Sequence, residues 1–244
     1  MTYQSTGFYI ERMQQRSQRT LQRLLDSAAD EFDRGGYARA KLDDIARTAG
    51  VTKGALYFHF SSKDELADAV QLRARDLLEG YLHHARYREP SALQRLVDST
   101  HHLNLLLHRA PAVRASVRIT RERSLRDPSP ADYYRLVSHN AAQLIREAHD
   151  RAELGEGFDG LRPAQDVVTA ITSGIEVLCW TGVPYAEAAH RLTALWDRLL
   201  PTLAWEGARG RIRTGPGEDP TAPRCTAAGS GSGSGSGSVP YRTG

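Results

Sequence analysis

The stretch LDDIARTAGVTKGALYFHF, residues 42–60, contains the pattern that decides the fold. The apolar residues of its first half are Leu42, Ile45, Ala46 and Ala49. Their spacing of three and four predicts one buried face of a short helix. Gly50 follows at a position suited to the left-handed conformation that ends a helix. Thr52 can then cap a second helix by accepting a hydrogen bond from the backbone N–H of Ala55.

Two short helices joined by a glycine turn form a helix-turn-helix, which is a DNA-binding arrangement. Val51 and Leu56 are expected to face the inside of this corner, and the rings of Phe58 and Phe60 are expected to fix the second helix to its domain. The outer face is then left with Thr52, Lys53, Gly54, Tyr57 and His59. Lysine, tyrosine and histidine can donate to phosphates, and lysine can also reach a guanine edge.

Gly54 is the least expected residue on this face, because it lies inside a predicted helix. Glycine inside a helix costs about 1 kcal/mol relative to alanine. A bare backbone at this point lets the helix lie deep in a major groove, which explains the glycine.

The next residues, SSKDEL at 61–66, predict the start of another helix. Ser62 and Glu65 have the spacing of a capping box. The free N–H groups of the first turn, with Lys63 beside them, would form a phosphate site.

Working outward, the same helical periodicity recurs along the chain. It begins near Gln15 and stops at Gly35–Gly36. Later helical segments are predicted at 63–88, 91–108, 110–122, 131–152, 164–181 and 185–205. No sustained alternation of period two appears, so we predict an all-α fold. We expect residues 1–14 to form a flexible arm, 15–62 the helix-turn-helix domain, 63–206 a second helical domain, and 207–244 a disordered Gly/Pro/Ser-rich tail.

Composition narrows the class of protein. The 244 residues carry a net charge of +3, which alone does not indicate nucleic acid. Cys179 lies in an apolar run and Cys225 in the polar tail, so no disulfide framework is indicated. No secretory signal and no apolar run of about 20 residues appear, so we expect a cytoplasmic protein that does not enter the membrane.

Catalytic and metal signatures are not found. The sequence has no Gly-rich phosphate loop, nucleophile elbow or convincing acid pair, so we expect no enzyme and no cofactor. The adjacent pairs His83–His84 and His101–His102 cannot chelate as units on a helix, and no zinc spacing appears, so we expect no metal site.

Residues 24–70, LLDSAADEFDRGGYARAKLDDIARTAGVTKGALYFHFSSKDELADAV, resemble the DNA-binding domain of tetR-type (tetracycline-repressor-like) regulators, within a match over about residues 15–75. The resemblance implies an N-terminal three-helix DNA-binding domain and a larger helical domain that binds a small molecule and dimerises through its last two long helices. Carried over residue by residue, it assigns the DNA contacts to Thr52, Lys53, Gly54, Tyr57, His59 and Lys63.

A second resemblance concerns the effector. GALYFHFSSKDELA at 54–67 and PAVRASVRIT at 111–120 are similar to the γ-butyrolactone receptors of antibiotic-producing, GC-rich bacteria. That subfamily usually has a pocket tryptophan after a proline-rich loop, whereas PSPADYYRL at 128–136 has Tyr134 there. A butyrolactone, a butenolide and a more polar antibiotic-pathway compound therefore all remain possible.

Helical pockets combine an apolar lining with a few polar groups. Our candidate pocket residues are Tyr81, Tyr134, Thr172, Glu176 and Trp180. Glu176 could equally be a surface or interface residue, and Trp180 and Trp196 fit the core or a dimer interface better than a ligand contact.

These observations predict a homodimeric repressor that binds a palindromic operator on double-stranded DNA. A small-molecule effector would shift the helix over 63–88 and release the DNA. A sensor of antibiotics or other metabolites is the nearer alternative. A scaffold that uses the same helices for protein contacts is the more distant one, and its binding would not depend on salt.

Overall fold

Helices are the repeating element of the protein. A computed structural model describes residues 3–123, 131–155 and 161–217. The helices in this part of the chain are α1 (Tyr3–Gly35), α2 (Leu42–Thr48), α3 (Lys53–His59), α4 (Lys63–Arg88), α5 (Ala92–Arg109), α6 (Pro111–Arg123), α7 (Tyr133–Asp150), α8 (Leu161–Trp180), α9 (Tyr185–Leu203) and α10 (Glu206–Arg209). Over these residues the only β pairing is an isolated bridge between Leu154 and Ala204. The all-α prediction is confirmed.

The first core joins α1, α2, α3 and the beginning of α4. Its largest buried side chains are Leu24, Phe32, Ile45, Leu56, Phe60 and Leu66. Gly50 has a φ of +61°, and the N–H of Val51 donates to the carbonyl of Ala46. The Thr52 hydroxyl accepts from the Ala55 N–H at 3.1 Å. The glycine turn and the threonine cap therefore set the angle between α2 and α3, as predicted.

The second core lies among α5, α7, α8 and α9. Trp196 is fully buried in it, and its indole N–H donates to the Thr100 hydroxyl at 2.9 Å. A buried tryptophan needs such a partner for its N–H. The interpretation of Trp196 as a core residue is therefore correct.

Helix α6 contributes to both cores, which the sequence did not indicate. Ala112, Ala115 and Ile119 pack in the first core. Val113 and Val117, on another face of the same helix, pack in the second. The helix-turn-helix domain is therefore held not only by the chain entering α4 but also by a helix from the second domain.

Polar contacts reinforce this attachment. The Arg114 guanidinium donates to the Asp33 carboxylate at 2.8 Å, which ties α6 to the end of α1. The Glu122 carboxylate accepts from the backbone N–H of Ala38 at 2.6 Å. Arg123 pairs with Asp68 of α4 at 2.7 Å. Three charged side chains of α6 thus contact the helix-turn-helix domain or the first turns of α4.

Both ends of the chain differ from expectation. The segment 1–14 was expected to be an arm, but α1 already begins at Tyr3, and only residues 1–2 of that segment lie outside the described residues. The tail was expected to be disordered from 207, yet it is described as far as Gly217. The remainder, 218–244, with the Gly-Ser run, lies outside the described residues.

The segment 206–217, which contains the first part of the predicted tail, packs along α5. The amide of Gln94 makes two hydrogen bonds with the backbone of Arg213, at 2.7 and 3.1 Å. The Arg213 guanidinium also pairs with Asp98 at 2.8 Å, and the His101 ring bonds to the Thr214 carbonyl at 2.8 Å. Side chains more than 110 positions earlier in the chain therefore hold this segment.

We expect a chain that ends at Trp205 to be less stable than a chain that ends at Gly217. The shorter chain loses these hydrogen bonds and leaves the half-buried Asp98 without its arginine, which together should lower the free energy of unfolding by about 2 kcal/mol or more. For a protein of this size that corresponds to a fall in Tm of roughly 4–8 °C. Equal melting temperatures for the two chains, measured by circular dichroism, would contradict a stabilising role of 206–217.

No helix of the described residues is both long and apolar enough to cross a bilayer.

Candidate DNA-binding surface and ligand site

The outer face of α3 brings together five of the six residues predicted to contact DNA. Thr52, Lys53, Gly54 and Tyr57 are exposed, and His59 is half-buried at the end of the helix. The cap on Thr52 occupies its hydroxyl as an acceptor, which leaves its O–H free to donate outward. The result is a continuous surface of hydrogen-bond donors with a glycine at its centre.

Lys53 already has an acidic partner on this surface. Its ammonium lies 2.9 Å from the Asp43 carboxylate of α2 and 5.9 Å from the centroid of the Tyr57 ring. The hydrogen bond to Asp43 raises the pKa of Lys53, so the side chain stays charged. A phosphate oxygen would compete with Asp43 for the same ammonium.

Phe58 does not pack where we predicted. It is 81 % exposed and makes an edge-on contact with the His59 ring, whereas Phe60 is buried as expected. The signal was available in the sequence, because Phe58 is two positions from the buried Leu56 and residues two apart do not share a helix face. Phe58 therefore adds an apolar group to the outer surface, of the kind that can contact a thymine methyl.

The ammonium of Lys63, which was predicted to contact phosphate, faces the loop between α1 and α2 in the free protein. Its ammonium donates to the carbonyls of Tyr37, Ala38 and Ala40 at 3.0, 3.2 and 3.4 Å, and lies 4.5 Å from the centroid of the Tyr37 ring. Lysine has three N–H donors, so these carbonyls use all of them. Lys63 anchors the loop between α1 and α2.

The capping box that precedes α4 is also modified. The Ser62 hydroxyl accepts from the Glu65 N–H at 3.1 Å, as predicted. The Glu65 carboxylate bonds to the backbone N–H and the hydroxyl of Ser61, both at 2.7 Å, instead of returning to Ser62. The first turn of α4 is thus closed by its own side chains.

Replacing Lys63 with methionine should mainly reduce stability. Hydrogen bonds to charged groups contribute about 1.5–3 kcal/mol each, and even partial loss of this set should lower Tm by several degrees. At a temperature where the variant is folded, its affinity for DNA should stay within about threefold of wild type. A variant with wild-type Tm but strongly reduced affinity would restore the phosphate role for Lys63.

Three of the five candidate ligand residues meet at one polar cluster. Glu176 of α8 is 1 % exposed and accepts a hydrogen bond from the Tyr134 hydroxyl at 3.1 Å. Arg121 of α6 forms an ion pair with Glu176 and donates to the Tyr134 oxygen at 2.8 Å. We call Arg121, Tyr134 and Glu176 the polar triad. It joins α6, α7 and α8, and the third candidate, Trp180, lies beside it.

Burial determines the protonation behaviour of the triad. Burial raises the pKa of Glu176 above its ordinary value, and Arg121 and the Tyr134 hydroxyl offset part of that effect. Arg121 could not be identified from the sequence, because arginines recur along α6 and only the fold shows which one reaches Glu176.

Trp180 is 44 % exposed in the single subunit. The guanidinium carbons of Arg118 and Arg121 lie 4.6 and 4.8 Å from its ring centroid. Two cation–π contacts hold the indole in place. Trp180 is therefore not a core residue, although the dimer-interface interpretation remains compatible with its exposure.

A chain of buried hydrogen bonds leads from the triad towards α4. Tyr133, next to Tyr134, donates its backbone N–H to the Thr120 hydroxyl at 3.2 Å, and the Gln71 amide donates to the same hydroxyl at 3.0 Å. The Tyr133 hydroxyl is buried without a hydrogen-bond partner among the described residues. α4, α6 and α7 thus share one hydrogen-bonded centre.

Tyr81 and Thr172, the other two candidates, line a separate cavity between α4, α5, α7 and α8. Its volume is about 40 Å³. The Tyr81 ring stacks on His102 with centroids 3.9 Å apart. Such a volume holds a few waters but no drug-sized ligand, because ligand pockets are about 300–1,000 Å³. In residues 3–123, 131–155 and 161–217, no three His, Cys, Asp or Glu side chains converge as a metal site would require.

A helix-turn-helix followed by a helical second domain is an arrangement typical of DNA-binding regulators. Residues 24–70 match the model of the tetR family of bacterial regulatory proteins. The chain is 31 % identical over 202 residues to the A-factor receptor protein of Streptomyces griseus, covering 82 % of this chain and 69 % of that protein. The chain belongs to the tetR family and is a transcriptional regulator, not an enzyme.

Solved structures agree with this assignment. A γ-butyrolactone receptor (ArpA-like protein) superimposes with a TM-score of 0.65 at 25 % identity, over 80 % of this chain and 93 % of that one. The TetR family protein CprB from Streptomyces coelicolor, in complex with its biological operator sequence, gives a TM-score of 0.63 at 26 % identity, over 80 % and 94 %. This regulator is therefore similar to γ-butyrolactone receptors in both sequence and fold.

Proposed function

We propose that the protein is a homodimeric repressor that binds a palindromic operator with α3 and releases it when a γ-butyrolactone-type molecule binds the second domain. The observation that carries the proposal is the outer face of α3, where Lys53, Gly54 and Tyr57 are exposed around a bare backbone. The similarity to CprB, which has been solved with its operator, supports the DNA-binding part.

The effector site is proposed at the polar triad and Trp180. The triad offers donors and an acceptor for an oxygen-rich ligand, and the Trp180 ring offers an apolar wall. The similarity to the A-factor receptor supports a butyrolactone-type ligand. The buried charge of Glu176 specifically favours one alternative, a sensor of more polar antibiotic-pathway compounds, because an uncharged lactone does not need it.

Release of DNA would follow if the effector displaced α6, which carries part of the proposed effector site. α6 carries the triad member Arg121 at one end and the Asp33 partner Arg114 nearer the other. A displacement of α6 would therefore reach the DNA-binding domain directly, and α4 would follow through the Gln71–Thr120 bond.

The dimer interface is proposed on α8 and α9. These helices present an apolar groove to the surface, lined by Val167, Ile171, Ile175, Leu195 and Leu199. Two copies joined by a two-fold axis would present two α3 helices to one palindrome. A Leu195→Glu variant should elute as a monomer in size-exclusion chromatography with light scattering, and its operator affinity should fall accordingly.

The central test measures binding of a fluorescent duplex, selected by the protein from a randomised library, as salt is varied. A repressor should bind one palindrome with an affinity that falls steeply with salt, because phosphate contacts release counterions. Fractions from producer cultures are then added to the complex. Release by a lactone fraction supports the receptor, release by antibiotics supports the polar-ligand alternative, and salt-independent binding without sequence preference supports a scaffold.

A further inference from the structure

The N-terminal half of α1 carries a row of arginines that the proposed recognition by α3 does not use. Arg12, Arg16, Arg19 and Arg23 follow one another at spacings of four, three and four. Residues at these spacings lie on one side of a helix. All four are exposed. At a rise of 1.5 Å per residue they extend over about 16 Å. We call these four residues the arginine ridge.

The ridge is unfavourable for the free protein. Each arginine has another arginine three or four positions away, and like charges at that spacing destabilise a helix. From Arg12 to Leu25 the sequence contains no acidic residue. Asp26, the next acid along α1, is already paired with Arg73 at 2.6 Å. The described residues offer Arg12, Arg16 and Arg19 no acidic partner.

Some other exposed arginines pair with an acid on the same helix. Arg34 pairs with Asp30, and Arg191 pairs with Glu187, each one helical turn away. On one face of α1, by contrast, four arginines follow one another and the described residues give them no acidic partner. A row of positive charge along one helix face is the electrostatic footprint of a polyanion.

The position of the ridge identifies that anion. Arg23, at its C-terminal end, donates to the carbonyl of Gly50 at 3.0 Å. Gly50 forms the turn that leads into the proposed recognition helix, so the ridge starts at the edge of the DNA-facing surface and continues away from it. A polymer with regularly spaced negative charge that already touches α3 will extend past this edge.

We propose that the arginine ridge binds the phosphate backbone of duplex DNA flanking the base pairs contacted by α3. This inference rests on the proposed function and extends the length of DNA that the protein contacts. Guanidinium groups bind phosphate through paired N–H donors, and such contacts add affinity without reading sequence. The ridge therefore makes affinity depend on the length of the duplex outside the operator core.

The test uses one palindromic core, selected by the wild-type full-length chain from a randomised library, embedded in two duplexes. One duplex has about two arbitrary base pairs on each side of the core, and the other has about fifteen. The variant is Arg12→Ala/Arg16→Ala/Arg19→Ala, with Arg23 kept because of its bond to Gly50. Alanine favours the helix and removes the repulsion, so this variant should fold at least as well as wild type.

Wild type should bind the long duplex more tightly than the short one, and the triple variant should lose that preference. On the long duplex, the slope of log affinity against log salt concentration should be less steep for the triple variant. The slope should change by about 0.9 for each phosphate that the variant no longer neutralises. Three arginines in each of two subunits would change it by up to about 5. The control variant, Arg135→Ala/Arg146→Ala/Arg162→Ala, removes the same charge from exposed positions on α7 and α8 and should behave as wild type.

Two results would overturn the inference while leaving the repressor intact: a wild type that does not distinguish the duplexes, or a triple variant that keeps the preference. A control variant that loses the preference equally would also overturn it, because the effect would then come from net charge and not from the ridge. Failure of the wild type to select any duplex would instead refute the proposed function itself.

Discussion

A Gly54→Ala variant should be at least as stable as wild type and should bind the operator about tenfold more weakly, and Gly54→Leu about a hundredfold or more. The structure separates the effect on stability from the effect on operator affinity. A Cβ added at Gly54 would meet only the Thr52 hydroxyl oxygen, at 4.0 Å, so nothing inside the protein requires glycine there. Its replacement should raise helix stability by up to about 1 kcal/mol.

The loss of affinity has a different cause. On the exposed face between Lys53 and Tyr57, any side chain at 54 would hold the α3 backbone away from the floor of the groove. Neighbouring donors would then lose their base and phosphate partners, and a good base contact is worth about 1–3 kcal/mol. Fluorescence anisotropy gives the affinity, and thermal denaturation gives the stability of the same samples.

Gly80→Ala is the matched control. Gly80 lies within α4, an added Cβ there would meet nothing within 4 Å, and it is about 25 Å along the helix from Lys63. This variant should show the same gain in stability without any change in operator affinity. If Gly54→Leu bound the operator as tightly as wild type, α3 could not lie deep in the groove, and another element would have to carry recognition.

The features predicted correctly from the sequence are those governed by near neighbours. The turn at Gly50 and the cap on Thr52 follow from rules that involve residues within one helical turn, and both occur in the structure. The bounds of α4 to α9 likewise follow from apolar periodicity and from Gly and Pro between the helices. Such rules act before any tertiary contact forms, so the local sequence contains them.

The features that the sequence did not indicate are contacts between distant parts of the chain. Lys63 was assigned to phosphate because it stands beside a helix N-terminus, but the carbonyls that it binds belong to a loop more than 20 residues earlier. Residues 207–217 were assigned to the tail from their Gly and Pro content, yet Gln94 and Asp98 hold them. The composition of a segment indicates its conformational propensity in isolation. It does not indicate which hydrogen-bond or ion-pair partners a distant helix provides.

The polar triad was predicted only in part for the same reason. Glu176 was a candidate because it is polar in an otherwise apolar segment, and Tyr134 because it stands where γ-butyrolactone receptors usually have a pocket tryptophan. Arg121, which connects them, and the double attachment of α6 depend on packing. The second domain was therefore predicted as a set of helices, whereas its means of contacting the first domain was not.

An Arg121→Ala variant should lose stability in a pH-dependent way. The change leaves the buried Glu176 carboxylate with only the Tyr134 hydroxyl as a partner among the described residues. An unsatisfied buried acceptor costs about 1–3 kcal/mol, which corresponds to a fall in Tm of roughly 2–12 °C for a chain of this length. The loss should be small near pH 5 and large near pH 8.

The sign follows from the direction of the pKa shift. Burial raises the pKa of folded Glu176 above its value in the unfolded chain, and Arg121 opposes that rise. Between the two pKa values the folded state holds a proton that the unfolded state has released, so stability falls as pH increases through this interval. Removing Arg121 raises the pKa of Glu176 in the folded state further and so widens the interval between the folded and unfolded pKa values. The stability of the variant therefore depends on pH more strongly than that of wild type.

Two companion variants decide whether the triad is the cause. Arg121→Ala/Glu176→Gln replaces the carboxylate with an amide that does not titrate, so the difference between pH 5 and pH 8 should disappear. Arg118→Ala also removes a guanidinium that contacts Trp180, but Arg118 has no acidic partner in the described part of the chain, so its Tm should change equally at both pH values. If Arg121→Ala lost the same stability at pH 5 and pH 8, Glu176 would have to be solvated or already protonated. The triad would then not supply the buried polar groups of the proposed effector site.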